Sequence, residues 1–207
     1  MGILKWDGTQ VVVPAAGVTA DLYGVWAGSG SVVAVGSAGT VARWNGTNWT
    51  ATAQPAASGR TLRAVWGRGP SALWMVGDGG LLMAWNGASA SAVSSGIVET
   101  LRAIWGSGAS DVWAVGDGGR ILHYDGSQWT LHAQGSALTA RNLTAVYGAS
   151  ASQIYIAGEG GTLLRYDGRQ FSTLQSGTQG VIHGLFVSRE GDVLAVGAGA
   201  SILRRRH

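Results

Sequence analysis

The sequence contains no cysteine, which excludes disulfide bonds and thiolate metal sites. Proline occurs only three times and charged residues make up 12% of the 207 residues, so long disordered stretches are not expected. No apolar run approaches the roughly 18 residues of a membrane-spanning helix, and the N-terminus lacks the basic and apolar regions of a signal peptide. We therefore expect no membrane insertion, and a chain that stays in the cytoplasm or joins a particle assembled there.

Glycine and tryptophan are abundant, with 35 and 10 residues. Glycine without a collagen period is typical of tight turns between short strands. The hydrophobic fraction of 46% is enough for a sizeable core. We expect one domain over residues 1–207.

Five segments of the sequence superpose on one another. They begin at Leu22, Leu62, Leu101, Leu143 and Ile182, at spacings of 40, 39, 42 and 39 residues. Each contains four short runs of strand-forming residues, and the fullest copy is LRAIWGSGASDVWAVGDGGRILHYDGSQWTLHAQG. No segment sustains a 3.6-residue apolar period, so no α-helix of consequence is predicted.

An Asp-Gly or Asn-Gly pair recurs between the third and fourth runs. Such pairs between two strands are a strong signal for a hairpin, because the turn needs positive φ at both central residues. The pairs are Asp7-Gly8, Asn45-Gly46, Asn86-Gly87, Asp125-Gly126 and Asp167-Gly168.

Four-stranded units that repeat about every forty residues are the sequence signature of β-propeller blades. A single blade cannot bury both faces of its sheet, so neighbouring blades must cover them. We predict an all-β, five-bladed β-propeller with four-stranded antiparallel blades. The predicted blades are residues 22–61, 62–100, 101–142, 143–181, and 182–207 plus 1–21.

Aromatic residues recur at matched places and are predicted to form the core between blades. Strand one ends in Trp26, Trp66, Trp105, Tyr147 and Phe186, and strand three carries Trp6, Trp44, Trp85, Tyr124 and Tyr166. The alternative is that the indole rings form surface platforms on which sugars stack.

The predicted strands number one more than five blades need. Residues 3–13 have the pattern of strands three and four, and Ile202-Leu203-Arg204-Arg205 has the pattern of another strand three. In one interpretation the N-terminal strands complete the last blade and close the ring. In the other, the spare strand pairs with another molecule through an exposed edge and produces an oligomer.

The segment VWAVGDGGRILHYDGSQWT resembles the repeats of several propeller families. Its glycine doublet, followed by Tyr-Asp and then Trp, is similar to kelch repeats. Val-Gly-x-x-Gly-x-Ile-Leu before Asp-Gly-x-x-Trp resembles BNR-type repeats and those of YCF48-like photosystem assembly factors. Asp-Val-Trp-Ala-Val with a later Tyr-Asp-Gly-x-x-Trp resembles tectonin repeats, several of which belong to glycan-binding lectins. The resemblance covers essentially the whole chain and implies architecture rather than ligand; blade two departs from it, with Ala90 in the place of Trp129.

Catalytic groups usually stand outside a structural repeat, whereas most carboxylates here recur with it. Six of the eleven do so, namely Asp7, Asp125, Asp167, Asp78, Asp117 and Glu159. The histidines have no metal-ligand spacing, and no Gly-x-Ser-x-Gly nucleophile motif occurs. We predict a non-enzymatic protein without catalytic residues, metal or cofactor.

Two series of basic residues are candidate ligand-binding groups. The strand-three series is Lys5, Arg43, His123, Arg165 and Arg204, interrupted by Ala84, and the strand-one series is Arg63, Arg102 and His183. The first either forms a circle of cations that faces an anionic glycan or acidic protein, or covers apolar sheet with its aliphatic stems. The second is predicted to line the central channel.

Two functions follow as hypotheses. The first is a protein-interaction or structural module within a larger assembly such as a virion, a tail or a secretion machine. The alternative is a lectin whose repeated weak sites gain avidity together. Nucleic acid is not favoured as a partner, because Arg204, Arg205 and Arg206 supply much of the net charge of +3.

Overall fold

The computed structural model describes residues 3–6, 8–12, 17–188, 191–199 and 201–205. The chain divides into two compact units, Met1–Gly77 with Leu81–Val93, and Asp78–Gly80 with Ser94–His207. Both units consist of antiparallel sheets, and the one α-helix among the described residues is α1 (Ala133–Ser136). The prediction of an all-β chain is confirmed, and the single-domain interpretation stays a prediction.

Unit one contains a two-stranded sheet and two four-stranded sheets. The small sheet pairs β1 (Lys5–Trp6) with β2 (Val11–Val12). Blade one consists of β3 (Leu22–Gly28), β4 (Ser31–Gly36), β5 (Thr40–Trp44) and β6 (Trp49–Ala53). Blade two consists of β7 (Leu62–Gly69), β8 (Ala72–Gly77), β9 (Leu82–Trp85) and β10 (Ala90–Val93).

Unit two contains two four-stranded sheets and one three-stranded sheet. Blade three consists of β11 (Leu101–Gly108), β12 (Asp111–Gly116), β13 (Ile121–Tyr124) and β14 (Trp129–Leu131). Blade four consists of β15 (Leu143–Ser150), β16 (Gln153–Gly158), β17 (Leu163–Tyr166) and β18 (Phe171–Thr173). Blade five consists of β19 (Ile182–Val187), β20 (Val193–Gly197) and β21 (Ser201–Arg205).

Each complete blade pairs its strands in sequence order. Side chains alternate between the two faces of a sheet, so residues paired across neighbouring strands share a face. In blade three Trp105 pairs with Trp113, and Trp113 pairs with His123. The terminal aromatic of strand one and the basic residue of strand three therefore lie in one row, with a strand-two residue between them.

A short 3-10 turn joins strands two and three in each complete blade. These turns are Ser37–Gly39, Asp78–Gly80, Asp117–Gly119 and Glu159–Gly161. Gly119 has φ of +72°, and a Cβ there would lie 1.9 Å from the carbonyl oxygen of Thr139. The glycine pair therefore recurs because this turn needs a left-handed backbone in close contact with the chain that leads into the next blade.

The hairpins predicted at the Asp-Gly and Asn-Gly pairs are present in the four complete blades, but the expected positive φ at both central residues is wrong. Tyr124 pairs with Trp129, and the Asp125 N–H donates to the carbonyl of Gln128. The loop between strands three and four therefore runs from Asp125 to Gln128. Its Gly126 has positive φ but Asp125 does not. Instead, Asp125 Oδ1 accepts the N–H groups of Ser127 and Gln128 at 2.8 and 2.9 Å. Asp or Asn precedes the glycine because its side chain caps the loop; Asp7 lies outside the described residues.

The core of each unit lies between successive blades. In unit one, Val35 of blade one and Met83 of blade two belong to the same buried cluster. In unit two, Trp113 of blade three clusters with Phe171 of blade four. Leu163, Ile182 and Ala195 form a further buried cluster between blades four and five. The predicted mutual covering of neighbouring sheets is seen within each unit.

The N-terminal strands were predicted to complete the last blade, but among the described strands they do not pair with it. Among the described strands β1 and β2 pair with each other, and β21 occupies the third-strand place beside β20. Ile202-Leu203-Arg204 repeats the pattern of Ile3-Leu4-Lys5 and follows β20 after a short turn, so it reaches this place first. Among the described residues blade five therefore contains three strands.

Candidate functional site

The richest group of charged side chains lies at one end of the sheets of unit two. Leu101 pairs with Gly116, so the start of strand one lies beside the 3-10 turn that follows strand two. Leu143 and Gly158 repeat this arrangement in blade four. We name this region the turn end and define it by the charged residues Asp78, Glu99, Arg102, Asp117, Arg120, Arg141 and Glu159, together with Asn142.

Arg102 and Asp117 form a bidentate ion pair at the turn end. Arg102 Nη2 donates to Asp117 Oδ2 at 3.1 Å, and Arg102 Nε donates to Oδ1. The two side chains remain 35% and 27% exposed. The hydrogen bonds from Arg102 to Asp117 raise the pKa of the guanidinium, with smaller contributions from Glu159 and Asp78, while burial opposes the rise. The guanidinium is therefore held in place and still reachable from solvent.

A second ion pair joins Arg120 to Glu99, with Nε 2.9 Å from Oε1. The hydrogen bond from Arg120 is the main cause of a lowered pKa at Glu99. Asn142 links the turns of blades three and four, since it accepts the Gly118 N–H and donates to Glu159 Oε1, each at 3.0 Å. The turn end thus combines four carboxylates and three guanidinium groups, with most of these groups fixed by a partner within unit two.

Only part of the strand-one series lies at the turn end. Arg102 belongs to it, whereas the Arg63 guanidinium lies 5.9 Å from the ring centroid of Tyr23 within unit one. His183 is exposed. Thr144 holds the matching place in blade four, and its hydroxyl donates to the carbonyl of Ile182. Tyr23 and Thr144 hold the same strand-one position but were not predicted, because the predicted series contained basic residues alone.

Members of the strand-three series interact within their own units. Arg204 Nη2 lies 2.6 Å from Asp192 Oδ2, and the Arg43 guanidinium lies 5.5 Å from the Trp85 ring centroid. Arg165 Nε is buried and has no hydrogen-bond partner in the described part of the chain. The side chain of Lys5 lies outside the described residues.

His123, the remaining member of that series, belongs to a cluster that sequence reasoning missed. Its Nε2 lies 2.7 Å from Asp111 Oδ1, which also accepts the Trp113 Nε1–H at 2.8 Å. The hydroxyl of Ser107 donates to Asp111 Oδ2. Burial raises the pKa of Asp111, but the hydrogen bonds from His123, Ser107 and Trp113 outweigh it and leave the pKa below its usual value. The carboxylate stands between the serine and the histidine, whereas an activated serine needs the histidine in the middle.

The predicted inter-blade aromatics differ in burial. Trp85 is 3% exposed and Phe186 is 49% exposed, while the ring centroids of Phe186 and Tyr147 lie 5.6 Å apart. The half-buried members are Trp26, Trp44, Trp66, Trp105, Tyr124, Tyr147 and Tyr166. Trp113 and Tyr155 are 1% and 3% exposed but were not among the predicted core aromatics. Their place on strand two, with a strand on either side, is the signal that could have identified them.

Among the described residues, no helix has the length and apolar character needed to cross a membrane. The same residues contain no group of three or more His, Asp or Glu side chains positioned to hold a metal ion.

No protein-family model matches the sequence, and no curated protein matches it. Solved structures do match. YCF48 bound to D1 peptide superposes with a TM-score of 0.71 and 16% identity, over 97% of this chain and 69% of that chain. YCF48 from Cyanidioschyzon merolae gives 0.72 and 15% over 96% and 73%. The outer coat vertex of COPII on membranes gives 0.71 and 13% over 91% and 59%.

The chain has the fold of β-propeller repeat proteins. Its predicted resemblance to YCF48-like repeats is confirmed. At these identities the likeness shows the fold alone. A β-propeller repeat protein packs its blades face to face, which agrees with the cores between successive blades inside each unit.

Proposed function

We propose that this β-propeller repeat protein is a non-enzymatic module that binds a protein partner, and that the turn end is the binding surface. The observation that carries the proposal is the bidentate Arg102–Asp117 pair, which is fixed and yet about one-third exposed. Ordered, partly exposed arginines are among the residues that contribute most to protein interfaces.

The charge balance of the turn end supports a protein rather than a polyanion. Arg102 and Arg120 are each paired with a carboxylate, and Asp78 and Glu159 add further negative charge nearby. Nucleic acids and sulfated glycans need a surplus of cations. A protein surface with charges of both signs fits this pattern through electrostatic complementarity.

The similar structures support the same proposal. One of them is YCF48 with a bound D1 peptide, and another is part of the COPII outer coat. We extend to this chain only the general role, which is engagement of a protein segment or membership in an assembly. The five repeats are proposed to act as five blades of one propeller, and closure by the N-terminal strands stays a prediction.

Two features favour a module that neither catalyses a reaction nor binds sugar. The Ser107 hydroxyl donates to Asp111, and His123 contacts the same carboxylate, so the histidine is not placed to take the serine proton. The tryptophans put forward as sugar platforms are buried or half-buried wherever their side chains are described. The lectin alternative gains no support from these contacts.

A charge-swapped pair tests the proposed surface. Arg102→Asp combined with Asp117→Arg keeps an ion pair and reverses its direction, so stability is retained while complementarity to a partner is lost. The matched control is Arg169→Glu, which alters an exposed arginine in the loop between strands three and four.

The protein and both variants would be immobilised and exposed to lysate of the source organism, with mass spectrometry of the retained proteins and a glycan array in parallel. We expect a protein retained by the unmodified chain and by the control, and lost from the charge-swapped variant at an unchanged melting temperature. Retention by all three, or a glycan hit without a protein partner, contradicts the proposal.

A further inference from the structure

Asparagine precedes glycine in the loops between strands three and four of blades one and two, at Asn45-Gly46 and Asn86-Gly87. This pair permits a reaction within the chain, in which the glycine backbone nitrogen attacks the asparagine Cγ, because glycine has no side chain to hinder the approach. The other two asparagines of the sequence, Asn48 and Asn142, precede tryptophan and leucine. The two Asn-Gly loops are therefore the places where this chemistry is expected.

The side-chain amide of Asn45 is arranged for such an attack. Its Oδ1 accepts the N–H groups of Thr47 and Asn48 at 2.9 and 2.8 Å. Attack on Cγ places negative charge on this oxygen, and two backbone N–H donors at such distances form the arrangement of an oxyanion hole. Among the described residues, neither Asn45 Nδ2 nor the Gly46 N–H has a hydrogen-bond partner. The leaving group and the nucleophile are thus both unengaged.

The same loop in blade three already holds a negative charge at this oxygen. Asp125 Oδ1 accepts the N–H groups of Ser127 and Gln128, and the hydrogen bonds from Gln128 and Ser127 lower the pKa of Asp125 to about 2. The two loops close alike, since the Asn45 N–H donates to the Asn48 carbonyl at 3.2 Å and the Asp125 N–H donates to the Gln128 carbonyl at 3.3 Å. The Asn45 loop therefore suits both the developing charge and an aspartate product.

The two Asn-Gly loops differ in what covers the glycine. A Cβ added at Gly87 would lie 2.9 Å from Ser71 Cβ, whereas one added at Gly46 would meet nothing within 4 Å. Gly46 is exposed and Gly87 is half-buried. The residue before Ser71 is anchored, because the Pro70 carbonyl accepts the Nε1–H of the buried Trp85 at 3.0 Å. Ring closure by the Gly87 nitrogen must therefore displace this packing, and ring closure by the Gly46 nitrogen need not.

A difference in the first hairpin explains the open space at Gly46. Trp26 pairs with Val33, seven residues further along the chain, whereas Trp66 pairs with Trp74, eight residues further along. The additional residue of blade two produces a register shift near the end of strand one, and blades three and four have a shift at the matching place. The first hairpin of blade one has no shift there, so it is shorter and leaves Gly46 uncovered.

We infer that Asn45 is a site of spontaneous deamidation, and that the packing of Ser71 on Gly87 protects Asn86 from the same reaction. The Gly46 nitrogen forms a bond to Asn45 Cγ, the Cγ–Nδ2 bond breaks, and the proton lost by the Gly46 nitrogen leaves with Nδ2 as ammonia. Water then opens the succinimide ring at either carbonyl, which produces aspartate or isoaspartate. The reaction consumes one water and releases one ammonia, with no other reactant and no change in oxidation state.

The two products differ in their effect on the loop. Aspartate keeps the Oδ1 acceptor and makes the blade-one loop equivalent to those of Asp125 and Asp167, where the carboxylate accepts two backbone N–H groups. Isoaspartate adds a methylene group to the backbone, so the Oδ1 cap and the closing bond to Asn48 are lost. Both products add one negative charge, and isoaspartate alone is expected to destabilise blade one.

The folded chain would be incubated in mildly alkaline buffer and sampled over weeks. Trypsin then separates the two loops into peptides 44–60 and 69–102. We expect peptide 44–60 to show the mass change from NH2 to OH about tenfold faster than peptide 69–102, which corresponds to about 1.4 kcal/mol in the barrier. The two rates should become equal in urea, where the packing on Gly87 is lost. Fragmentation assigns the change to Asn45 rather than Asn48, and an isoaspartate-specific methyltransferase distinguishes the products.

Ser71→Gly is the matched variant, because it removes the side chain that packs on Gly87. Deamidation at Asn86 should then approach the rate at Asn45. Asn45→Asp represents the aspartate product and should melt at the temperature of the unmodified chain. Equal rates at the two asparagines of the folded chain overturn the inference, as do a faster reaction at Asn86 and a difference that persists in urea. An unchanged rate at Asn86 in Ser71→Gly, or a lower melting temperature of Asn45→Asp, also overturns it.

Discussion

The imidazole of His123 stacks on the indole of Trp113, with ring centroids 4.0 Å apart and planes 21° from parallel. One carboxylate contacts both rings, since Asp111 Oδ1 lies 2.8 Å from Trp113 Nε1 and 2.7 Å from His123 Nε2. Trp113 is only 1% exposed. Asp111 therefore connects the core between blades three and four to the partly exposed row of strand-three residues.

Asp111→Ala is expected to destabilise the protein by about 1–3 kcal/mol, because it leaves the buried Trp113 N–H without an acceptor. Urea unfolding followed by tryptophan fluorescence measures this free energy. Ser107→Ala is the control, since it removes a bond to the same carboxylate from an exposed residue and should cost less. Equal effects of the two substitutions would mean that the indole N–H has another acceptor.

Acid is expected to destabilise the protein through its Asp-Gly loops. Hydrogen bonds from the Gln128 N–H and from Ser127 lower the pKa of Asp125 to about 2, and the N–H groups of Gln170 and Arg169 lower the pKa of Asp167. A carboxyl group whose pKa is lower in the folded chain stabilises the fold above its unfolded pKa, and this stabilisation is lost as the pH falls through the folded pKa. The melting temperature should therefore decline between about pH 4, near the unfolded pKa, and about pH 2.

Asp125→Asn combined with Asp167→Asn should flatten that decline and leave the melting temperature near neutral pH almost unchanged. Asparagine keeps the acceptor, as Asn45 shows by accepting the N–H groups of Thr47 and Asn48 at 2.9 and 2.8 Å. Asp125→Ala, the control, loses the acceptor and should melt lower at every pH. An unaltered acid decline in the double variant would assign it to other carboxylates.

The repeat predicted the sheets well because its strands and turns depend on local residue types. Strand runs, the glycine pair after strand two and the Asp-Gly loops each follow from propensity and turn chemistry over a few residues. The detailed loop geometry did not follow, because the Asp125 side chain replaces the backbone turn that the dipeptide alone suggests. Trp113 and Tyr155 were missed because their burial depends on the neighbouring blade.

The candidate site was less accessible to sequence reasoning. Arg102 was singled out as a cation, but its partner Asp117 is 15 residues away and was interpreted as a turn former. The two meet because the start of strand one adjoins the turn after strand two. Gln54 and Gln134 were not predicted either, since a single glutamine gives no signal in the sequence that it accepts the backbone N–H of a strand in the next blade.

Trp113→Ala is expected to cost about 3–5 kcal/mol, the loss typical of a large aromatic removed from a core. Phe186→Ala should cost about 1 kcal/mol or less, because little apolar area is uncovered by truncating a half-exposed ring. Urea unfolding of both variants measures the difference. A cost at Phe186 as large as at Trp113 would show that another sheet covers blade five in solution, as ring closure requires.

Gln134 Oε1 accepts the Phe171 N–H, and Gln134 Nε2 donates to the Phe171 carbonyl, each at 2.9 Å. Gln134→Ala is therefore expected to lower the free energy of unfolding by about 1–3 kcal/mol, since each of these bonds contributes about 0.5–1.5 kcal/mol. Gln134→Glu should lose less if the carboxylate still accepts the Phe171 N–H, while the bond to the carbonyl is lost. Gln175→Ala should leave the free energy of unfolding unchanged, because that amide makes no bond in the described part of the chain. Urea unfolding separates the three variants. Were Gln175→Ala as costly as Gln134→Ala, the Gln175 amide would have a hydrogen-bond partner within the chain in solution.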